Sequence, residues 1–278
     1  MALLRAIFRH PSGRIGAAIV LAYLALAGLG ALGLTPHDPL VQHRLDRLHP
    51  PSATYWLGTD LFGRDITSRL MQGIGQSFRV AFLSVAVAAG IGTVLGLAAA
   101  WFGRLWDGAL MRAMDILLAF PAILLAMLIV AVMGPGTQTS VLAIAFVYMP
   151  IFTRVVRGPA LSLKTRDFVD AARSFGSSTV YILTRHLLLN IVAPLTVQVT
   201  LALAWALLTE AGLSFLGLGT QPPAPSLGVM LSDSRNLMET APWLMIAPGL
   251  TIMGGILGFN LLGDALRDIL DPKTRGRA

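Results

Sequence analysis

Long uncharged runs separated by short polar segments dominate the pattern of this chain. The runs cover residues 15–36, 80–103, 116–153, 187–209 and 240–263. A helix needs about 20 apolar residues to cross a bilayer, so every run but the third predicts one span. The third is too long for a single helix, and Gly134-Pro135-Gly136-Thr137-Gln138-Thr139 interrupts it. The pattern predicts an all-α polytopic membrane protein with six transmembrane helices, near 15–34, 79–101, 115–133, 140–157, 190–211 and 242–263. A polar loop over 35–78 isolates the first span. Pro36, Pro39, Pro50 and Pro51 make its first part extended or turned. Asp65 to Phe78 predicts a short surface helix. Spans two to six have short links and predict one packed bundle. The units are 1–56, 57–78, 79–264 (with a charged loop at 158–189) and a tail, 265–278.

Composition supports this class. The chain has 278 residues, 55% of them hydrophobic and 13% charged, about half the charge of a soluble domain. A net charge of +7 raises the thought of nucleic acid, but topology accounts for it. With a cytoplasmic N-terminus, 15 of the 21 Lys and Arg residues fall on the inner side, the positive-inside bias. Both termini then face the cytoplasm. Arg5, Arg9 and Arg14 ahead of an apolar run also resemble a signal peptide, with Ala31-Leu32-Gly33 as a small-residue site. The run is longer than a usual signal core, so an uncleaved first span is expected. The chain contains no cysteine, which excludes thiol and disulfide chemistry.

Residues 158–189 predict two short helices. The first covers about 166–175, with Thr165 or Asp167 as N-cap. Phe168, Ala171, Ala172 and Phe175 recur at i, i+3, i+4 and i+7 and predict one apolar face. Gly176 follows as the left-handed C′ residue. Ser177 or Ser178 caps the next helix, which runs through Leu188. Two uses fit this face. It lies on lipid, with Arg166, Arg173 and Arg185 toward anionic headgroups, or its small alanines enter a groove on a partner protein.

Other features bear on chemistry. Gly92 and Gly96, and Gly254 and Gly258, are four apart and predict close helix packing. Pro121, Pro150 and Pro248 fall within spans and predict curvature. His37, His43 and His49 recur every six residues beside Asp38 and Asp46. That spacing puts no two on one helix face, so a solvated loop is expected and not a metal site. Glu210 is an acid inside a predicted span, where a charge is costly. It lies near the outer end of span five, where water or a helix terminus relieves that cost, so structural and gating roles both stay open. Gln198, Thr200 and Trp205 share span five and are candidate pathway residues. A P-loop needs Gly-Lys-Ser/Thr, whereas Leu163 and Pro272 precede the two lysines, Lys164 and Lys273. The chain therefore carries no ATPase site. A self-powered transporter or channel and a non-transport scaffold remain the alternatives to a motor-driven permease.

Asp170-Ala171-Ala172, three residues, Gly176, nine residues and His186 resemble the EAA loop of bacterial ABC importer permeases. Asp170 replaces the usual Glu, and Leu189 stands where Pro is common. Leu57-Gly58-Thr59-Asp60-Leu61-Phe62-Gly63-Arg64-Asp65, continuing to Leu70, is similar to the loop after the first span in C-type permeases of the dipeptide, oligopeptide and nickel family. So are Ser214-Phe215-Leu216-Gly217-Leu218-Gly219 and Leu262-Gly263-Asp264-Ala265-Leu266-Arg267-Asp268 with Leu270-Asp271-Pro272. The resemblance covers about residues 55–272. It implies the type I importer fold in the last five spans, ATPase coupling through Phe168, Asp170, Ala171, Ala172, Phe175, Gly176 and His186, and no cofactor on this chain, ATP and Mg belonging to partners. Those partners are a B-type permease chain, two ABC ATPase subunits and a periplasmic or lipoprotein solute-binding protein, in the bacterial cytoplasmic membrane, with no nucleic acid. Di- and oligopeptides are the implied cargo, with nickel chelates, opines and glutathione-like compounds as alternatives. Physically, Asp60, Arg64, Asp65 and Arg69 are expected to pair locally. The 57–70 segment reads as a plug or as a docking surface for a partner subunit. The Asp264, Arg267, Asp268 and Asp271 cluster reads as a solvated helix end or an ATPase contact.

Overall fold

A computed structural model describes residues 2–270; Asp271, Pro272, Lys273, Arg275 and Arg277 of the tail lie outside them. The described chain is helical, in the order α1 (Ala2–Arg9), α2 (Pro11–Ala31), α3 (Ile66–Phe102), α4 (Arg104–Ala119), α5 (Ala122–Met133), α6 (Thr137–Lys164), α7 (Asp167–Ser174), α8 (Thr179–Tyr181), a π-helical segment (Ile182–Leu188), α9 (Leu189–Phe215), α10 (Leu227–Ser234) and α11 (Trp243–Leu270). Five stretches are long and apolar enough to cross a membrane: α2, α3, α6, α8 through α9, and α11. The pair α4–α5 makes a sixth if it is one broken span, bent by 96°.

That bend corrects the expected third span, a single curved helix near 115–133. Phe120 is extended, at φ −87° and ψ 140°. A proline disfavours the helical region for the residue before it, and Pro121 brings no N–H of its own. The helix therefore stops at Ala119 and restarts at Ala122. The gentle curvature expected of a proline inside a span becomes a corner. Ion pairs from Arg154 to Asp115 and from Arg157 to Asp107 hold α4 against α6.

A second correction concerns residues 65–78. They are not a separate surface helix but the first turns of α3, which is 37 residues long. Asp65 caps it, accepting from the Thr67 and Ser68 amides at 3.3 and 3.0 Å. The polar side chains of these turns are covered by other parts of the chain. Arg69 donates to the Pro39 carbonyl at 3.3 Å, and Gln76 donates to Thr137 Oγ1 at 3.1 Å. The Ser77 hydroxyl accepts the Leu227 amide at 3.2 Å.

The core follows the close seam between α3 and α6. A Cβ on Gly92 would stand 2.6 Å from Phe152 Cβ, and one on Gly96 2.6 Å from the Thr153 carbonyl. Only glycine lets these two backbones approach so closely. The same holds at Gly258, which lies against Ile19 of α2. Ile74, Phe78, Ile144, Phe152, Leu207 and Phe259 are buried in the main cluster. The rings of Phe78 and Phe259 pack against each other within it, and the exposed Phe82 ring packs on both from outside.

The loop over residues 32–65 folds over one end of the bundle. Asp60 organises it. Its Oδ1 accepts the Phe62 and Arg64 amides at 2.8 and 2.9 Å, and its Oδ2 meets Arg64 Nε at 2.6 Å and Arg69 Nε at 3.6 Å. The expected local pairing is therefore present for Asp60 with Arg64 and Arg69, whereas Asp65 serves instead as the cap of α3 and faces His37 at 3.5 Å. A Cβ on Gly63, which adopts φ +74°, would collide with the His43 carbonyl, so no side chain fits there. His37, His43 and His49 do not converge. His37 and His49 instead flank the Tyr55 ring, with centroids 4.9 and 6.0 Å away.

Candidate functional site

The EAA-like segment lies at the end of the bundle opposite that loop. Its helix, α7, has Arg166 at the N-cap, with no side-chain cap bond, so neither Thr165 nor Asp167 plays the expected part. Asp167 and Asp170 lie in the first turn and Arg173 in the last, an order that suits the helix dipole. Asp170 pairs with Arg173 at 3.3 Å, both exposed. The C-terminus closes as a Schellman motif. Gly176 adopts φ +75°, its amide donates to the Arg173 carbonyl at 2.9 Å, and the Ser177 amide to the Ala172 carbonyl at 3.0 Å. Ser178 caps the next helix, accepting the Tyr181 amide at 3.3 Å. That helix is not the short one expected. It runs from Thr179 without a break through the π segment to Phe215.

The apolar face divides differently from the sequence expectation. Ala172 turns inward with Val169, and both are buried against Leu97, Ala100, Val156 and Ile182. Phe168, Ala171 and Phe175 face outward, Phe175 being 90% exposed. The His186 ring lies 6.0 Å from Phe168 and 5.5 Å from Tyr181, centroid to centroid. Ala172 thus anchors the helix, while Phe168, Ala171 and Phe175, with His186 beside them, present an apolar knob. A small knob on a charged rim can enter a hydrophobic groove on another chain.

The span-five candidates do not converge. Gln198 lines a surface cavity of about 460 Å³ with Asn190, Pro194 and Arg267. Thr200 donates to the Val197 carbonyl at 2.8 Å and packs against Gly263 of α11. Trp205 is exposed. Glu210 is 0% exposed, so neither water nor a helix end relieves its cost. Hydroxyls do so instead. Ser214 Oγ donates to Glu210 Oε1 at 2.7 Å, and the Ser77 and Ser226 hydroxyls adjoin the same carboxyl. Oε2 accepts no hydrogen bond. Each serine also accepts a backbone amide from the segment after α9: Ser214 from Thr220 at 3.2 Å, Ser77 from Leu227 at 3.2 Å, and Ser226 from Val229 at 3.3 Å. Glu210 therefore organises the turn that returns the chain into α10. Sequence reasoning missed this hub. The i, i+4 spacing of Glu210 and Ser214 was the available signal; nothing local pointed to Ser77. Among the described residues no cluster of His, Asp and Glu is placed to hold a metal ion.

Apolar spanning helices, a corner-bent helix pair and an outward knob at one bundle end define a polytopic helical membrane protein. The chain belongs to the family of binding-protein-dependent transport system inner membrane components, whose model matches residues 92–276. It is 45% identical over 261 residues to a dipeptide transport system permease, DppC, of Alkalihalophilus pseudofirmus, covering 94% of this chain and 86% of that one. It is 41% identical to a di/tripeptide transport system permease of Pseudomonas aeruginosa, covering 98% and 91%. A glutathione transport system permease, GsiD, of Escherichia coli is 42% identical, covering 97% and 89%. Among solved structures, an inward-facing form of the MetNI methionine ABC transporter matches with a TM-score of 0.60 at 18% identity, covering 73% of this chain and 96% of that one. That likeness establishes the type I transmembrane fold.

Proposed function

We propose that this chain is the C-type permease subunit of an ATP-driven importer of di- or oligopeptides in the bacterial cytoplasmic membrane. The observation that carries the reading is the exposed Phe168, Ala171 and Phe175 knob, held on a buried Val169 and Ala172 footing. The names of the peptide-transport relatives support the cargo. In this reading the α7 end faces the cytoplasm, as its excess of basic residues favours. A solute-binding protein delivers cargo at the other end. Two ATPase subunits close on ATP and push α7, and a B-type permease supplies the second half of the pathway. Chemistry and nucleotide both belong to the partner chains. Glutathione is itself a small peptide, and the GsiD relative supports it as a second cargo.

The chain has no native cysteine, which makes orientation directly testable. Ala171→Cys and Leu61→Cys are expected to react with an impermeant maleimide from opposite sides, Ala171→Cys from the cytoplasm. The Ala171→Cys thiol should be protected once the ATPase subunits bind. Labelling of Ala171→Cys from the outer side, or no protection by the ATPase, refutes the coupling reading. Uptake of labelled dipeptides by the complete complex tests the cargo.

A further inference from the structure

The footing of α7 includes a cluster outside the EAA-like motif. Trp101 lies at the end of α3. Arg173 of α7 places its guanidinium carbon 4.7 Å from the indole centroid, and Lys164, the last residue of α6, places its ammonium 5.7 Å from the same ring. Lys164 also donates to the Ala100 and Trp101 carbonyls at 3.0 and 2.5 Å. These are among the carbonyls that a helix C-terminus leaves unpaired. Three helices thus meet at one indole: α3 supplies the ring and the carbonyls, α6 the ammonium, and α7 the guanidinium. The alternative tie for Arg173, its ion pair with Asp170, stays within α7 and holds nothing else.

We propose that Trp101, with Lys164 and Arg173, is a positioning clasp that passes displacement of α7 into α3. The proposal rests on reading α7 as the ATPase-docking helix. Eight residues on two short tethers, anchored by small buried side chains alone, would roll when the exposed face is pushed. A cation held over an aromatic ring resists sliding, because the attraction falls away as the cation leaves the ring face. Lys164 meanwhile locks the end of α3 to α6. Motion of the knob is therefore delivered to the long helix rather than spent in rotating α7.

The test uses the complete complex, with ATPase subunits, partner permease and binding protein, reconstituted in proteoliposomes. ATP hydrolysed per labelled dipeptide imported is the readout. Trp101→Leu and Lys164→Met should both assemble with the ATPase and raise that ratio by about two- to fivefold, the scale of losing one such contact. Trp101→Phe, which keeps an aromatic face, should restore it. Phe175→Asp serves as the control for the docking reading itself, and should lose the ATPase outright. If Phe175→Asp keeps the ATPase, the docking reading fails. If Phe175→Asp loses it while Trp101→Leu and Lys164→Met keep the wild-type ratio, docking stands and the clasp falls. Loss of assembly in both clasp variants also overturns the proposal, since the cluster would then serve folding alone.

Discussion

Replacing Glu210 gives the sharpest test of the packing around the turn from α9 into α10. In Glu210→Ala, Ser214 loses an acceptor at 2.7 Å, and the Ser77 and Ser226 hydroxyls lose the carboxyl they adjoin. All three serines are buried. A buried donor left without an acceptor costs about 1–3 kcal/mol, and some of these hydroxyls will find carbonyls instead. A total of about 3 kcal/mol results for the hub, before any cavity cost. At about 2–4 °C per kcal/mol for a chain of this size, the apparent melting temperature should fall by roughly 6–12 °C. Glu210→Gln keeps an acceptor at Oε1 and puts an amide donor where Oε2 now has no partner. That variant should stay within about 1 kcal/mol of the parent. Thermal unfolding of the purified, detergent-solubilised complex, followed by tryptophan fluorescence, measures both. A Gln variant as costly as Ala would overturn this account of the hub, because the negative charge itself would then be the requirement. A neutral Ala variant would overturn it equally.

Further outcomes are expected at positions where the structure discriminates between similar residues. Gly96→Ala should destabilise by about 1–3 kcal/mol by overpacking the α3–α6 seam, whereas Gly90→Ala meets nothing within 4 Å and should be neutral or stabilising by about 0.5–1 kcal/mol; paired melting curves decide this. Phe175→Asp, at an exposed site, should leave stability within about 0.5 kcal/mol of the parent while co-purification with the ATPase is lost. Ala172→Leu should act first on stability, lowering it by about 1–3 kcal/mol because its side chain enters the buried cluster. Gly176→Val should cost about 1–2 kcal/mol through its left-handed backbone and weaken ATPase binding by loosening the end of α7, as proteolysis near residue 175 would report.

The periodic parts of this fold were legible, and the parts set by distant neighbours were not. Charge-free runs located the spans because a bilayer imposes one length on every crossing helix. Gly176 was readable because a left-handed residue after a short apolar helix has few other uses. Asp60 and Arg64 were readable because their bond is local. The merging of residues 66–78 into α3 was not readable. Arg69, Gln76 and Ser77 look like surface residues until the Pro39 carbonyl, Thr137 and the Leu227 amide cover them. The face of α7 was misjudged for a related reason. In a helix of eight residues, Ala171 and Ala172 both sit beside the stripe begun by Phe168, and only the packing of Leu97 and Val156 decides which one turns inward. The corner at Pro121 was underestimated because a proline within an apolar run reads as a kink unless the neighbouring helix shows where the chain must turn.

These details converge on α3. At 1.5 Å per residue, its 37 residues reach about 55 Å, well beyond a bilayer core. One end is capped by Asp65 inside the folded loop. Three turns further on, Ser77 joins the Glu210 hub and receives the Leu227 amide at the start of α10. The other end stops at Trp101 and Phe102, under the ammonium of Lys164 and the guanidinium of Arg173. Between these ends, Gly92 and Gly96 hold it against α6 without intervening side chains. Close packing of this kind transmits displacement better than it absorbs it. If α7 is pushed, the stiff route to the far side therefore runs along α3 and its glycine seam, and the first element it meets there is the serine-bound turn leading into α10. A spin label or fluorophore on α10, at the exposed Asp233, should then report ATP binding by the partner subunits. Its response should disappear in Trp101→Leu and persist in Glu210→Gln. A response that survives loss of the indole would mean that α9, joined to α7 by the turn over residues 175–178 and the π segment, carries the motion instead.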